Sequence, residues 1–364
     1  MRIALVGLGN AGCNLHLPAL AGIPGVRLVG ATDPHDERRT SARDRFGVPV
    51  FPGFDEMVGE SKPDVIVIGS PPDSHADYCL RGLAAGAHVI CEKPFVSSIA
   101  EADQVLDAAK RAGRRVALNH EFREMPIFRT IRDAITDRGT GSLTFAQVWQ
   151  LMDLPPWAEP GWRGRMLQRT LYEAGVHLVD FLMALFDERP VAVQATTSTC
   201  GVREGHSDAV ALVTLEFSRG RLAQIVQNRL CKGETQYFEV RAETERASLR
   251  ASFGGRARLT AGLLRSTRPQ LRFEFGASGI AWRERGHRRE VLCRNPRNPA
   301  MLATRQVFQR TLAAFGNGGQ PPASEQVGRD VMVVIAAAYQ SAITGQRISI
   351  NDDLISELRN LHLG

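Results

Sequence analysis

The feature that most constrains this chain is the order of segments in its first 33 residues. Arg2–Val6 is a short apolar run that predicts a buried strand. It is followed by Gly7–Gly12, which reads Gly-Leu-Gly-Asn-Ala-Gly, and by an apolar segment with a helical pattern. A second strand-like run, Val26–Thr32, ends at Asp33. Strand, glycine turn, helix, strand and acid in this order predict a dinucleotide-binding unit.

Each part of this stretch has a physical role in holding a dinucleotide. Gly7 permits the tight turn, Gly9 lets the backbone approach a pyrophosphate, and Gly12 lets the helix pack closely on the strand. The helix start at Asn10 and Ala11 offers free N–H groups to phosphate oxygens.

The acid at the end of the second strand bears on the choice of cofactor. The Asp33 carboxylate suits the ribose hydroxyls and repels a 2′-phosphate, which favours NAD over NADP. Arg38 and Arg39 follow closely and could meet a phosphate, so NADP stays possible.

Length and composition set the class of protein. A chain of 364 residues with 43% hydrophobic and 23% charged residues predicts a globular protein of two domains. No apolar run reaches the roughly 18 residues of a membrane span, and the chain begins directly in a strand, so we expect neither membrane insertion nor a signal peptide. Six scattered cysteines without a C-x-x-C pair favour a reduced, cytoplasmic protein with no metal site.

The net charge of +6 comes mainly from arginine, which is dense between Arg241 and Arg289. A nucleic-acid interface would combine such arginines with a recognised reader motif, and none is present. We therefore expect a solvated sheet face and no nucleic-acid partner.

Two domains follow from the order of predicted elements. Strands and helices alternate up to about residue 120, which predicts a Rossmann-type, doubly wound parallel sheet over residues 1–120. Consecutive strands with short connections then predict an α+β domain with a largely antiparallel sheet over residues 121–364. The fold class is therefore α/β.

The carboxyl ends of the parallel strands predict one binding site, because ligands of such sheets bind there. Ser70 and Pro71 end the third strand of our prediction, and His75 opens the next helix. Glu92 and Lys93 follow the fourth strand, and Asn119 follows the fifth. We expect all six residues in the cofactor site.

Four motifs carry a resemblance to a known family. They are Gly7–Gly12, Glu92-Lys93-Pro94, Gly175-Val176-His177-Leu178-Val179-Asp180 and Pro321–Ser324. On these motifs the chain resembles the glucose–fructose oxidoreductase, inositol dehydrogenase and rhizopine-catabolism family of nicotinamide-dependent oxidoreductases. The resemblance implies a homo-oligomer, dimer or tetramer, formed through the open sheet face of the second domain, for which Val210, Leu212 and Val226 are candidates.

The resemblance also implies that Lys93 is a catalytic lysine beside the nicotinamide. A cation near a reacting alcohol oxygen would stabilise the charge that gathers there. Glu92 and Pro94 would fix the geometry of this turn. The alternative is a surface lysine, although Lys93 is one of only four lysines in the chain.

A second candidate pair is Glu173 and His177, four residues apart. On a regular helix this spacing puts both side chains on one face, where the carboxylate would orient the imidazole and raise its pKa. The family usually has Asp where this chain has Glu173, so a catalytic and a positioning role both stay open, as does a purely structural pair. A metal site with His120 has no recognisable ligand spacing.

The loop before this helix supplies candidates for substrate binding, Trp162 and Arg163, with Trp157 and Arg165 nearby. Packing and solvent exposure are the alternatives for these residues. The leading hypothesis is a hydride-transferring NAD(P)-dependent dehydrogenase or reductase acting on a sugar, cyclitol or related polyol, with Lys93, Glu173 and His177 in its site. The alternatives are a catalytically silent dinucleotide-binding regulator and an enzyme that recycles a tightly held cofactor between two substrates.

Overall fold

The computed structural model describes residues 1–137, 139–155, 161–166, 168–199, 207–233, 236–253, 258–263, 269–274 and 279–363. Trp157 and the arginines at positions 256, 265 and 268 lie outside these ranges. Among the described residues, no helix combines the length and apolar character that crossing a membrane requires.

The described strands form two large sheets and one two-stranded sheet. They are β1 (Arg2–Val6), β2 (Arg27–Thr32), β3 (Val50–Phe51), β4 (Val65–Ile68), β5 (His88–Cys91), β6 (Val116–Leu118), β7 (Leu143–Leu151), β8 (Ala192–Ser198), β9 (Val210–Glu216), β10 (Leu222–Asn228), β11 (Gln236–Thr244), β12 (Ser248–Phe253), β13 (Arg258–Leu263), β14 (Pro269–Glu274), β15 (Ile280–Arg285), β16 (Arg288–Arg294) and β17 (Ile348–Ser349).

Helices cover both sheets. They are α1 (Leu17–Ala21), α2 (Asp36–Phe46), α3 (Phe54–Ser61), α4 (His75–Ala84), α5 (Ile99–Ala112), α6 (Pro126–Thr136), α7 (Trp162–Arg165), α8 (Val176–Phe186), α9 (Pro299–Gly316), α10 (Glu325–Thr344) and α11 (Asp352–Leu358). Two π-helical turns, Gly12–His16 and Thr170–Gly175, lead directly into α1 and α8. Shorter 3-10 turns span Pro72–Ser74, Glu121–Arg123 and Ser218–Gly220.

The first sheet is parallel throughout, with strand order β3-β2-β1-β4-β5-β6. This is the order of a Rossmann sheet, and it confirms the predicted fold of the N-terminal part. The strand order reverses beside β1, so the carboxyl ends of β1, β4 and β5 open onto a common crevice. Asp33, Ser70 and Glu92 follow strands that end at this crevice edge.

A helix from the far end of the chain completes the N-terminal layer. Val307 and Phe308 of α9 pack in the same apolar cluster as Ile3, Leu17 and Ile90. Residue 120 lies between β6 of the first sheet and β7 of the second, but one face of the first sheet is covered in part by residues of the second segment. The boundary itself stays a prediction.

The second sheet has nine strands in the order β16-β15-β12-β11-β7-β10-β9-β8-β17. Its neighbours are antiparallel except β7 and β10, which run parallel at its centre. The largely antiparallel second sheet is therefore confirmed. Burial alternates along β9, where Ala211 and Val213 face the core while Val210 and Leu212 face outward. Val226 of β10 pairs with Leu212, so the three oligomer candidates share the outer face.

Local capping signals explain the best predicted helices. Ser98 accepts a hydrogen bond from the Glu101 N–H, and Gly113 ends α5 at a φ of 60° that favours glycine. The apolar pattern of the sequence predicts a helix over Ile99–Ala112, and these are the bounds of α5. The sequence also predicts one helix from about Thr170 to Phe186. The structure is helical over this range, but Thr170–Gly175 is π-helical and only Val176–Phe186 is α-helical.

Candidate active site

The glycine turn has the geometry that a pyrophosphate requires. Gly7 has a φ of 90°, and a Cβ on it would lie 2.6 Å from the backbone of Gly69 and Ser70. A Cβ on Gly12 would lie 2.2 Å from the Gly7 carbonyl oxygen. A Cβ on Gly9, by contrast, would meet nothing within 4 Å. The open space at Gly9 fits the close approach of a phosphate group.

A groove continues from this turn toward α2. It is lined by Leu8, Gly9, Asn10, Cys13, Asn14, Glu37, Arg38, Ser41 and Arg45. Asn10 is exposed at the start of the helical segment, and Ala11 beside it is half-buried. Polar and cationic side chains in such a groove fit the adenosine half of a dinucleotide.

Asp33 lies at the inner end of this region and is buried. Its carboxylate accepts hydrogen bonds from the Leu8 N–H at 2.8 Å and the His35 N–H at 2.9 Å. Burial opposes ionisation, but these bonds and Arg38, at 3.5 Å, outweigh it and lower the pKa of Asp33. Asp33 is thus an anion that also holds the glycine turn against β2.

Glu92 connects the glycine-turn segment to the ends of β5 and β6. Its Oε1 lies 2.7 Å from His16 Nε2 and accepts a hydrogen bond from Asn119 Nδ2 at 2.6 Å. Burial alone would raise its pKa, but His16, Lys93 and Asn119 lower the pKa of Glu92 to about 2. His16 was not predicted, although it follows Gly12 by one helical turn.

Ser70 and His75 fix the loops around the crevice. The His75 ring is fully buried, with Nδ1 2.9 Å from the Pro94 oxygen and Nε2 2.9 Å from the Ser70 oxygen. Burial lowers its pKa. The Ser70 hydroxyl lies 2.6 Å from that of Ser74, and Pro71 follows it at the crevice. Both ring nitrogens of His75 thus contact backbone oxygens, and the ring holds the two loops together.

Lys93 points from the end of β5 toward the second sheet. It is half-buried, and its Nζ donates to the backbone oxygen of Glu173 at 3.3 Å. The peptide bond between Lys93 and Pro94 is cis. The structure therefore brings Lys93 and the π-helical turn that carries Glu173 into one site.

The Glu173 carboxylate lies among arginines. Oε1 accepts from Arg163 Nε at 2.7 Å, and Oε2 accepts from Arg169 Nε at 3.1 Å and Arg229 Nη1 at 3.0 Å. Burial opposes ionisation, but Lys93 and these arginines lower the pKa of Glu173 to about 2. At neutral pH this residue is a permanent anion.

Asp208 binds the start of the π-helical turn that carries Glu173. Its carboxylate accepts from the backbone N–H groups of Arg169 and Thr170 at 2.7 and 3.2 Å, and its backbone oxygen accepts from the Thr170 hydroxyl. These bonds cap the π-helical turn. Trp162 joins the site through its neighbour, since the Arg163 guanidinium lies 4.3 Å from the Trp162 ring centroid.

The predicted pairing of Glu173 with His177 is wrong. The Glu173 carboxylate is directed to Arg163, Arg169 and Arg229 instead. His177 Nδ1 lies 3.9 Å from Glu121 Oε2. The predicted rise in the His177 pKa is also wrong, because burial first, and then Lys93 and His120, lower that pKa well below 6.5.

Several residues of the site were missed at the level of sequence. Glu121 could have been found, since it follows Asn119 by two residues at a strand's carboxyl end. Arg229 could not, because it follows β10 and lies 56 residues from Glu173 in the sequence. Among the described residues, His120, Glu173 and His177 form no cluster that could hold a metal ion.

A parallel Rossmann sheet whose glycine turn opens onto a polar groove defines a dinucleotide-binding protein. Comparison with known families specifies it further. Residues 1–120 match the profile of the oxidoreductase family with an NAD-binding Rossmann fold, GFO/IDH/MocA, and residues 128–248 match the C-terminal domain of the same family. The chain belongs to this family of NAD-binding oxidoreductases, so the predictions of family, enzyme class and cofactor are confirmed.

Individual relatives agree with this assignment. The chain is 28% identical over 311 residues to a 1,5-anhydro-D-fructose reductase of Ensifer adhaerens, covering 82% of this chain and 84% of the reductase. It is 22% identical to a D-apiose dehydrogenase of Paraburkholderia graminis, covering 95% and 89%. An oxidoreductase of Agrobacterium radiobacter, solved with NAD+, L-tartaric acid and magnesium, shares the fold with a TM-score of 0.81 at 15% identity, covering 96% and 98%.

Proposed function

We propose that this oxidoreductase transfers a hydride between the nicotinamide of NAD(P) and a carbon of a sugar, cyclitol or related polyol. The single observation that carries the proposal is the position of Lys93. Its ammonium leaves the carboxyl end of β5 and reaches the π-helical turn of the second segment, so a substrate there would lie between the two sheets. The sugar substrates named for the reductase and the apiose dehydrogenase support the same class.

Lys93 and His177 have different roles in the reaction of a substrate hydroxyl. A bound nicotinamide supplies the hydride acceptor or donor. The Lys93 ammonium stabilises negative charge on the substrate oxygen. His177 is neutral at physiological pH, because burial and Lys93 lower its pKa, so its imidazole can accept the hydroxyl proton.

Glu173 has a different role from the one its spacing predicted. With a pKa of about 2 it cannot take up a proton near neutrality. We propose that it positions Lys93 and holds Arg163 at the substrate side, where Trp162 packs on the same guanidinium. Arg163 and Trp162 are then the proposed substrate contacts.

Further proposals concern the residues that bind the cofactor, the cellular location and the oligomeric state. Gly7, Gly9, Asn10, Ala11, Gly12 and Asp33 would hold the pyrophosphate and ribose, and Ser70, Pro71, Glu92 and Asn119 would line the nicotinamide side. We further propose a cytoplasmic homo-oligomer.

The test is a turnover assay on the purified chain. NAD+ or NADP+ is mixed with each member of a panel of aldoses, cyclitols and polyols, and NADH absorbance is followed. We expect reduction of NAD+ by at least one member. Binding of NAD without turnover of any sugar in either direction would contradict the proposal and favour a silent dinucleotide-binding regulator. Nucleotide that copurifies with an active chain would indicate a recycled cofactor.

A further inference from the structure

Two buried titratable atoms face each other across a short gap. Glu121 Oε2 lies 3.9 Å from His177 Nδ1, which is longer than a direct hydrogen bond. Within the described part of the chain, neither atom has a hydrogen-bond partner, and neither is reached by solvent. Buried polar atoms without a partner are uncommon and indicate a functional group or a bridging water.

The structure around this gap holds both groups in place. Glu121 begins the 3-10 turn that follows β6 and Asn119, at the crevice edge. The next residue, Phe122, packs edge-on against the His177 ring with centroids 4.6 Å apart. Arg123 then donates to both carboxylate oxygens of Asp180 on α8, at 2.7 and 2.6 Å. The turn and the helix are thereby fixed to each other.

Titratable groups from the neighbouring segments face the pair. Glu92, Lys93 and Asp180 act on Glu121, and Lys93 and His120 act on His177. The phenol of Tyr237 on β11 is uncharged, because burial and then Glu121 raise its pKa to about 12. Burial first, and then Glu92, raise the pKa of Glu121 to about 7, while Lys93 opposes the rise. The same surroundings lower the pKa of His177. A proton shared by the two residues therefore resides on the Glu121 carboxyl group and not on the imidazole.

We propose that Glu121 and His177 form a proton relay, which rests on the proposed function. In the oxidative direction the C–H hydrogen leaves with its bonding electron pair as a hydride, which a bound NAD(P)+ would accept, and the C–O bond becomes a carbonyl. The hydroxyl proton passes to Nε2 of His177, the proton on Nδ1 passes to the ionised Glu121 carboxylate, and Glu121 releases it to solvent before the next turnover. One bridging water or a small closure on substrate spans the present distance. Reduction runs the same transfers in reverse.

The experiment compares Glu121→Gln, His177→Asn and the double variant with the parent. Glu60→Gln, an exposed glutamate on α3, is the matched control. We expect Glu121→Gln to lower kcat by about 10² with little change in KM, and to remove the ionisation near 7 from the kcat profile. The double variant should be no slower than His177→Asn alone, because members of one relay are not additive.

A second measurement needs neither substrate nor turnover. Infrared titration of the parent and of Glu60→Gln should show the carbonyl band of a protonated carboxyl that disappears with a midpoint near 7. Glu121→Gln should lack it. An active parent without this band, or a Glu121→Gln variant that keeps the parental kcat and its ionisation, would overturn the relay alone. A parent that turns over no sugar would overturn the proposed function and the relay with it.

Discussion

At the scale of single residues, the site is dominated by cations gathered around one carboxylate. Arg169 and Arg229 are buried and share Glu173 Oε2, while Arg163 binds Oε1. Lys93 donates to the backbone of the same residue. The carboxylate thus holds these three arginines, and the backbone oxygen of the same residue holds Lys93.

Replacing Glu173 by Gln should therefore destabilise the fold. The variant removes the charge that two buried guanidinium groups share, which costs about 3 kcal/mol in comparable buried pairs. The folded-state pKa is lowered from 4.5 to about 2, so this stabilisation is present above pH 4.5 and is lost as the pH falls toward 2. Urea denaturation at pH 7 and pH 3 measures it, with Glu60→Gln as control. Equal stabilities of the parent and Glu173→Gln at pH 7 would argue against this role.

Asp33 has two functions that one substitution can separate. Alanine would also remove the acceptor for the Leu8 N–H, so we choose Asp33→Asn, which keeps an oxygen at that position. We expect NAD binding to weaken by about 1–2 kcal/mol and NADP binding to weaken less, because the anion that repels a 2′-phosphate is gone. Titration with both nucleotides measures this, and Asp36→Asn on the exposed side of α2 is the control. Unchanged affinities for both would exclude the ribose contact.

At the scale of elements, alanine at Gly9 should weaken NAD binding, whereas alanine at Gly12 should lower the stability of the fold. Gly9→Ala adds a methyl group into open space, so the fold should keep its Tm while NAD affinity falls about tenfold or more. Gly12→Ala forces a methyl group to 2.2 Å from the Gly7 oxygen, so it should lower the Tm by several degrees. Thermal unfolding with and without NAD compares the two variants. A Gly9→Ala protein that binds NAD like the parent would contradict the pyrophosphate site.

Prediction of elements succeeded where the signals are local. Ser98 and Gly113 bound α5, and Ser324 and Gly345 bound α10, so the sequence alone defines both helices. The turn at Thr170–Gly175 is different. Asp208, almost forty residues away in sequence, accepts hydrogen bonds from the N–H groups at the start of this turn, and no local pattern indicates these bonds. The predicted pairing of Glu173 with His177 failed because arginines, including the distant Arg229, bind the Glu173 carboxylate.

At the scale of the whole molecule, the sequence does not indicate which distant strands pair in the second sheet. The alternation of strands and helices predicts the parallel sheet, because each crossover is local. The parallel pairing of β7 with β10 joins segments separated by α8, β8 and β9. Arg229, which follows β10, contacts Glu173 across 56 residues of sequence, so this arginine of the site could not be predicted, whereas Arg163 could.

The outer face of the second sheet leads to a prediction on assembly. Leu212 is 48% exposed and lies opposite Val226 in the sheet. If this face forms the oligomer interface, Leu212→Glu should convert a dimer or tetramer into smaller species, because it places a charge in an apolar contact. Sedimentation at micromolar concentration measures this, with Ile343→Glu on α10 as an exposed control. A parent that sediments only as a monomer would contradict it.

One pair of variants tests whether Lys93 acts in hydride transfer to or from a polyol. Lys93→Met keeps the length of the side chain and removes its cation, while Lys110→Met makes the same change on the exposed side of α5. With the sugar that gives the fastest reduction of NAD+, we expect Lys93→Met to lower kcat by about 10² or more while NAD affinity stays near that of the parent. Lys110→Met should behave like the parent. A Lys93→Met protein with parental kcat would contradict a role of Lys93 in hydride transfer.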